Sequence, residues 1–234
     1  YREKINMSGV NSINWARIIC QIVYYFYAVF KVDKQNISFS VPTGNFGDIY
    51  AGYMAKKMGL PIDKLVVATN ENNILQRVIN TGEYKPDKVK PSLSPSMDIQ
   101  VSSNFERLLF DILKGDDVKL SSLMNGLKTK GFFKLDKESI KIIKKDFCAE
   151  KINDEETLDI IKNLNKEFKF MLDPHTATAF GAVKKINNLS ETIIVGTAHP
   201  YKFFETVKKA TGEEIQAPTQ LLNVVDKKEK FDIV

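Results

Sequence analysis

A glycine-containing turn at residues 44–48 constrains the fold of this chain more than any other feature. The sequence from Val41 to Asp48 is VPTGNFGD, and it joins a strand-like segment at 37–41 to a helix-like segment at 48–58. Glycines at 44 and 47 allow a tight turn and a close approach of backbone amides to a ligand. The helix that follows adds unpaired N–H groups and a positive dipole end, which suit phosphate. Two alternatives stay open from the turn alone: an anion site, or glycines that serve only packing.

Helix-like and strand-like segments alternate through the first third of the chain. They are a helix at 13–30, a strand at 37–41, a helix at 48–58, a strand at 65–68 and a helix from 70 to about 80. We expect Ser12 and Asn70 to cap the first and third of these helices. We expect Gly59 and Gly82 to end the second and third. The alternation predicts an α/β fold with an open, mostly parallel sheet covered by helices.

The middle of the chain has a different character. Three prolines and several serines at 85–98 predict a loop. Ser103 and Glu106 have the spacing of a capping box, and apolar residues at helical spacing predict a helix that ends near Ile112. Residues 115–170 are rich in lysine and predict short amphipathic helices, a helical insertion lying over the sheet.

The end of the chain returns to the α/β pattern. It predicts a helix from Asp173-Pro174 to about 187, a strand at 192–195, a turn at 196–200 and a helix to about 210. We expect three parts, namely residues 1–84, 85–170 and 171–234. Ligands of open α/β sheets lie outside the carboxyl ends of the strands. The turns that begin at Gly44 and Gly196 therefore predict one ligand site.

Composition excludes several classes of function. The 234 residues carry a net charge of +5, which favours anionic ligands, but no dense basic patch predicts a nucleic-acid partner. Cys20 and Cys148 lack metal-like or disulfide-framework spacing, so we expect no metal and a reducing, cytoplasmic location. Arg17 and Gln21 interrupt the apolar segment at 13–30, so we expect a buried amphipathic helix there and no membrane partner.

Seven motifs, in order, resemble the carboxyl-terminal half of threonine synthases of the bacterial and fungal type. They are NSINWARI (11–18), VPTGNFGDIYAGYMAKKMGLP (41–61), ATNENNIL (68–75), SPSMDI (94–99), SSNFERLLFD (102–111), DPHTA (173–177) and GTAHPYKF (196–203). The resemblance covers nearly the whole chain and is weakest across 115–170. It implies a fold-type-II pyridoxal phosphate enzyme, similar to the tryptophan synthase β subunit. It also implies conversion of O-phospho-L-homoserine and water into L-threonine and phosphate.

The resemblance also implies roles for individual residues. It assigns the cofactor phosphate to the turn Gly44, Asn45, Phe46, Gly47 and Asp48, and the pyridine nitrogen to the hydroxyl of Thr197. A neutral hydroxyl there can leave that nitrogen unprotonated, whereas a carboxylate would hold it protonated. The candidate substrate-binding residues are Asn11, Ser12, Asn14, Arg107 and His175.

Structural roles stay open for each of these candidates. Ser12 and the asparagines can cap a helix or satisfy neighbouring backbone, and Arg107 can form an ion pair. The only histidines, His175 and His199, are candidates for acid–base chemistry, although in this family the lysine that binds the cofactor usually transfers the protons.

The family's Schiff-base lysine has no match in this chain. In the family it lies in a Phe-Lys-Asp context, and neither Lys134 nor Lys202 has that context. The chain starts at Tyr1 without an initiator methionine, so we expect it to be the carboxyl-terminal portion of the enzyme. We expect the missing amino-terminal half to supply the lysine, and this portion to be inactive alone. The alternatives are a non-catalytic remnant and a module that binds another phosphate ligand.

Overall fold

A computed structural model describes residues 11–219, 221, 222 and 228 of the chain. Its centre is a parallel sheet with strand order β5-β2-β1-β6. The strands of this sheet are β1 Ile37–Pro42, β2 Ile62–Thr69, β5 Phe147–Lys151 and β6 Thr192–Ile194, and a separate antiparallel pair is formed by β3 Glu83–Tyr84 and β4 Phe133–Lys134. The predicted α/β fold with a parallel sheet is confirmed.

Helices cover the sheet. They are α1 Trp15–Val32, α2 Gly47–Lys57, α3 Ile74–Thr81, α4 Phe105–Ile112, α5 Asp117–Lys130, α6 Lys137–Asp146, α7 Asp154–Phe168, α8 Pro174–Lys185 and α9 Phe204–Thr211. Short 3₁₀ turns occur at Pro95–Met97 and at Pro200–Phe203. The predicted final helix is therefore split, because its first residues adopt the tighter 3₁₀ turn.

Strand β1 forms the core of the sheet. All six of its residues are buried, as expected for a strand with neighbours on both sides and helices on both faces. Phe39 pairs with Leu65 of β2 and with Ile193 of β6. The hydroxyl of Ser40 is satisfied by the main-chain oxygen of Ala179 in α8, at 2.7 Å. This arrangement brings the carboxyl ends of β1 and β6 side by side.

Residues 115–170 contain more than the predicted helices. Strand β5 lies in this region and pairs in parallel with β2, with Phe147 beside Leu65 and Lys151 beside Thr69. The predicted short helices are present as α5, α6 and α7, but strand β5 was missed. A five-residue strand with a charged end has too little periodicity to be distinguished from a helix. The division into 1–84, 85–170 and 171–234 stays a prediction.

Three predicted helix caps were wrong. Asn14, not Ser12, caps α1, and its side chain accepts a hydrogen bond from the amide of Ala16 at 2.9 Å. Helix α3 begins after Asn73, and Asn70 instead donates to Asp98 at 2.8 Å. No capping box forms at α4, which begins after Asn104 without a side-chain cap. In the last two cases an asparagine makes long-range contacts in place of a local cap.

Helix α1 is only partly buried. Ile18, Tyr25 and Val29 face the core, whereas Tyr27 and Phe30 are 62% and 72% exposed. The predicted amphipathic helix is present, but its second face also carries apolar and aromatic side chains. Across the described part of the chain, no helix combines the length and the apolar character that crossing a membrane requires.

Candidate cofactor site

Both glycine turns open into one cavity of about 850 Å³. The wall includes the residues from Pro42, the last residue of β1, to Ile49, and the residues from Val195 to Ala198, which follow β6. Helix α1 and the loop around Ser96 contribute further parts of the wall. The cavity therefore lies where parallel α/β sheets bind ligands, at the carboxyl ends of adjacent strands.

Phe46 shapes the first turn. Its backbone lies in the left-handed region, with φ of 63°, although it is not a glycine. Its side chain is buried, with ring centroids 5.4 Å from Phe105 and 5.6 Å from Phe147. A non-glycine residue adopts this conformation only where the surrounding structure holds it there. Core packing therefore fixes the entry of the chain into α2.

The N-terminus of α2 is free to bind an anion. Phe46 stands at its N-cap position and provides no side-chain hydrogen bond. Within the residues that the structure describes, the N–H groups of Gly47, Asp48 and Ile49 donate to no protein acceptor outside the helix. Unpaired amides at the positive end of a helix dipole are suited to a phosphate group.

Gly44 lies directly under a second loop. A Cβ built on Gly44 would be 2.9 Å from the carbonyl oxygen of Ser96 and 3.0 Å from Cδ1 of Ile99. Real Cβ atoms do not approach backbone that closely, so this position requires glycine because of the space available. The loop at 96–99 thereby forms one wall of the anion site.

Asn104 stabilises the turn at 44–48 through hydrogen bonds, and the sequence analysis assigned no role to this residue. Its side-chain amide donates to the main-chain oxygens of Ser12 at 2.8 Å and Asn45 at 3.0 Å. Its own backbone N–H also donates to the oxygen of Asn45, at 3.0 Å. The hydroxyl of Ser102 donates to the oxygen of Gly44 at 2.8 Å. The motif at 102–111 thus supports the turn from which an anion would be bound.

Asp48 places a carboxyl group in the wall of the cavity. Burial raises the pKa of Asp48 from 3.8 to about 6, and the hydrogen bond from Tyr25 opposes that rise. The hydroxyl of Tyr25 lies 2.9 Å from Oδ1 of Asp48. A carboxyl group with this pKa is partly protonated near neutral pH, which lowers its repulsion of a bound phosphate.

The second turn brings Thr197 to the same cavity. Thr197 follows β6, and the amide of Val195 donates to the oxygen of Ser40 in β1 at 2.9 Å. Gly196 has room around it, because the nearest atom to a built Cβ is Oγ1 of Thr176 at 3.9 Å. The structure therefore brings the candidate phosphate turn and the candidate ring contact together. Their roles as cofactor ligands stay predictions.

The structure separates the candidate substrate residues into two groups. Asn11, Ser12 and His175 line the cavity. Asn14 caps α1. Arg107 lines a second pocket, where its guanidinium donates to the oxygen of Ile13 at 2.9 Å and lies 5.2 Å from the ring of Trp15. Arg107 is thus not among the residues that line the cavity, and a substrate role for any member of either group stays a prediction.

Two cations that sequence reasoning did not select line the cavity. Arg17 lies on α1, and Lys202 lies in the turn after Thr197. The interruption of the apolar helix by Arg17 was the only sequence signal for the first. Lys134 lies in β4, away from the cavity wall. His199 is engaged locally, because its Nδ1 accepts a hydrogen bond from the amide of Tyr201 at 3.1 Å.

The fold and the paired turns define the class. The fold is that of the fold-type-II pyridoxal phosphate enzymes, as predicted. A threonine deaminase isoform from Solanum lycopersicum shares the fold alone, with a TM-score of 0.51 at 12% identity over 83% of this chain and 47% of that chain.

Within this class, the chain is similar to the carboxyl-terminal half of threonine synthases. A PLP-bound threonine synthase from Brucella melitensis superposes with a TM-score of 0.94 at 44% identity, over 99% of this chain and 51% of that chain. The threonine synthase of Saccharomyces cerevisiae is 44% identical over 99% of this chain and 51% of its own length. That of Pseudomonas aeruginosa is 43% identical over 97% of this chain and 49% of its own length. The family model "Threonine synthase, C-terminal" matches residues 176–234.

The predicted family resemblance is thereby confirmed. The chain spans about half the length of these curated relatives.

Proposed function

We propose that this chain is the carboxyl-terminal portion of a threonine synthase that acts in the cytoplasm. The full protein converts O-phospho-L-homoserine and water into L-threonine and phosphate, with pyridoxal 5′-phosphate as cofactor. One observation carries the proposal: the turns at Gly44 and Thr197 line a single cavity at the carboxyl ends of β1 and β6.

The residues present fit the cofactor. The free amides at the start of α2 provide donors for its phosphate group. Thr197 provides a neutral hydroxyl for its pyridine nitrogen, and this residue lines the same cavity as the start of α2. When bound, the cofactor supplies an electron sink that allows protons to be removed from the α and β carbons and the γ-phosphate to leave. The lysine that binds the cofactor covalently comes from the other half of the protein.

The residues of this chain bind and orient the cofactor and the substrate. The amides of Gly44 to Asp48 hold the phosphate of the cofactor, and Asn104 and Ser102 keep those amides in place. Arg17 and Lys202 supply positive charge to the same cavity, where it attracts a substrate with a phosphate and a carboxylate. Asn11 and Ser12 are the polar residues of the first motif that line the cavity and are placed to contact the substrate.

The other half of the protein is the proposed partner of two exposed surfaces. Strand β6 lies at the edge of the sheet with none of its three residues fully buried. One face of α1 exposes Val23, Tyr27 and Phe30. Sheet edges and contiguous apolar surfaces are usually covered in native proteins. We therefore assign the amino-terminal half to this side of the molecule.

Phosphate release tests the proposal directly. The full-length protein, loaded with pyridoxal phosphate, is incubated with O-phospho-L-homoserine, and inorganic phosphate and threonine are measured. We expect equal amounts of both products. This chain alone, and the other half alone, serve as controls and are expected to be inactive, whereas mixing the halves restores turnover if they assemble.

Two results would replace the proposal with a different function. A folded full-length protein that shows cofactor absorbance without phosphate release would identify a non-catalytic remnant. A protein that binds inorganic phosphate but shows no cofactor absorbance would identify a module for another phosphate ligand. Either result would contradict a threonine synthase.

A further inference from the structure

We propose that His175 is a positioning residue that connects the two turns of the cofactor site, rather than an acid–base group or a substrate ligand. The inference rests on the proposed function and adds a role that the family resemblance does not supply. His175 is the second residue of α8 and is 3% exposed. Both of its ring nitrogens have partners, and its ring contacts the second turn.

The partners of His175 determine where its proton lies. Nδ1 is 3.2 Å from Oδ1 of Asp173, and Nε2 is 3.3 Å from the backbone nitrogen of Ser96. A carboxylate can only accept a hydrogen bond, and a backbone N–H can only donate one. Nδ1 therefore carries the proton and Nε2 accepts, which makes the imidazole neutral. Neither nitrogen is left for a proton transfer to substrate.

Asp173 stays ionised and so preserves this arrangement. Burial raises the pKa of Asp173, but hydrogen bonds from His175 and Thr176 outweigh it, so the pKa lies below its usual range. Oδ1 accepts from the amides of His175 at 2.9 Å and Thr176 at 3.2 Å, and thereby caps α8. The orientation of the ring is thus fixed by the start of a buried helix.

The Nε2 contact acts on the phosphate turn. Ser96, whose N–H is held by His175, has its carbonyl oxygen 2.9 Å from the Cβ position of Gly44. A shift of Ser96 in either direction therefore moves the wall of the anion site. His175 determines how closely the loop at 96–99 lies on the phosphate turn.

The ring of His175 also contacts the second turn. The ring centroid of His175 is 4.7 Å from that of Phe203, which ends the turn that begins at Gly196. Oγ1 of the neighbouring residue Thr176 lies 3.9 Å from the position of a Cβ built on Gly196. The start of α8 therefore stands between the residues that hold the two ends of the cofactor, and His175 touches both sides.

Two substitutions separate this role from proton transfer. Gln at 175 places a carboxamide oxygen near the position of Nε2, so His175→Gln can still accept from Ser96. Asn at 175 reaches only the position of Nδ1, so His175→Asn keeps the contact with Asp173 and leaves the Ser96 amide without its acceptor. We measure the pyridoxal phosphate dissociation constant of the full-length apoprotein by absorbance, together with hydrogen exchange of residues 94–99 and 196–203. We also measure kcat for phosphate release by the cofactor-loaded protein.

We expect His175→Asn to weaken cofactor binding about tenfold, since a buried N–H loses its partner. We expect faster exchange in both segments as well. His175→Gln should stay within about threefold of the unsubstituted protein, with exchange at 94–99 restored. The control Asn125→Ala lies on the exposed surface of α5, away from the cavity, and we expect less than about a twofold change.

Several outcomes would overturn the proposal. Equal losses of affinity in the two variants would show that Ser96 is not the relevant partner. Normal affinity and exchange in His175→Asn would show that no positioning is needed, and a fall of kcat in both variants with unchanged affinity would identify a proton-transfer group. Cofactor affinity is measured without substrate, so failure of the protein to release phosphate would contradict the proposed function and leave this result interpretable.

Discussion

The hydroxyl of Tyr25 lies 2.9 Å from the carboxylate of Asp48 and 3.0 Å from the main-chain oxygen of the same residue. This contact joins the middle of α1 to the first turn of α2. It fixes the position of the one carboxyl group in the phosphate turn, and burial of that group raises its pKa to about 6. The stability of the fold therefore depends on pH through a carboxyl group that lies in the binding site.

Asp48→Asn should stabilise the fold most at neutral and alkaline pH. The folded pKa of about 6 exceeds the ordinary value of 3.8, so the folded state binds the proton more tightly than the unfolded state. Ionisation therefore destabilises the fold increasingly as pH rises from about 4 to 6, and by a constant amount above that range. The shift corresponds to about 3 kcal/mol. We expect the free energy of unfolding of Asp48→Asn to exceed that of the unsubstituted protein by up to that amount at pH 7.5.

The pH dependence is the critical measurement. The gain should be about half as large at pH 5, because the carboxyl group is then mostly protonated in the folded state but mostly ionised in the unfolded state. Urea unfolding of the full-length protein at the two pH values measures it. The exposed Asp159 on α7 offers a matched control, since Asp159→Asn should change neither value. A gain that does not vary with pH would argue against a raised pKa.

Gly44→Ala should disturb the wall of the anion site. The new methyl group would lie 2.9 Å from the carbonyl oxygen of Ser96, so residues 96–99 must move. We expect a loss of about 1–3 kcal/mol in stability, together with weaker pyridoxal phosphate binding. Thermal unfolding and a cofactor titration measure the two effects. Gly126→Ala in α5, where the nearest atom is 3.4 Å away, should be neutral or slightly stabilising.

Asn104→Ala should destabilise the phosphate turn by removing hydrogen bonds that support it. It removes the side-chain donor from the oxygens of Ser12 and Asn45, and only the oxygen of Asn45 keeps the backbone N–H of residue 104 as a partner. We expect a loss of about 1–3 kcal/mol, because the oxygen of Ser12 loses its donor. Asn104→Asp should be worse at pH 7, because a carboxylate would face those two oxygens. Asn125→Ala on the exposed surface of α5 is the comparison. Equal stability of the Asn104 and Asn125 variants would mean that the turn is held elsewhere.

Thr197→Val should separate cofactor binding from turnover. Valine has the shape of threonine but no hydroxyl, so the proposed contact with the pyridine nitrogen is lost while the phosphate turn is unchanged. We expect kcat for phosphate release to fall at least about tenfold, with the dissociation constant of the cofactor changed less. Thr129→Val, remote from the cavity on α5, should leave both values unaltered. Equal activity of the two variants would show that the hydroxyl of Thr197 makes no functional contact with the cofactor.

The elements that could be predicted are those specified by local sequence. The buried run of β1, the glycines at 44 and 47 and the proline that starts α8 carry their signals within a few residues. Their order was enough to predict parallel strands and one site at two strand ends. Gly44 is the clearest case, because the glycine itself could be identified in the sequence, whereas its close approach to Ser96 could not.

The features that could not be predicted depend on distant partners. Strand β5 is a strand because it pairs with β2, about 80 residues earlier in the chain. Asn104 was assigned no role because its partners, Ser12 and Asn45, lie in other motifs. The raised pKa of Asp48 depends on the burial of its carboxyl group in the folded chain, and local sequence carries no information about that burial.

Phe46 shows how the site is prepared before any ligand arrives. Its left-handed backbone is an unfavourable conformation for a residue with a side chain, and its ring is held between Phe105 and Phe147. The energy of folding therefore maintains the curvature of the turn, and a phosphate group meets amides that already converge. Binding then loses little conformational entropy in the protein, since the freedom of this segment was already given up when the aromatic core formed.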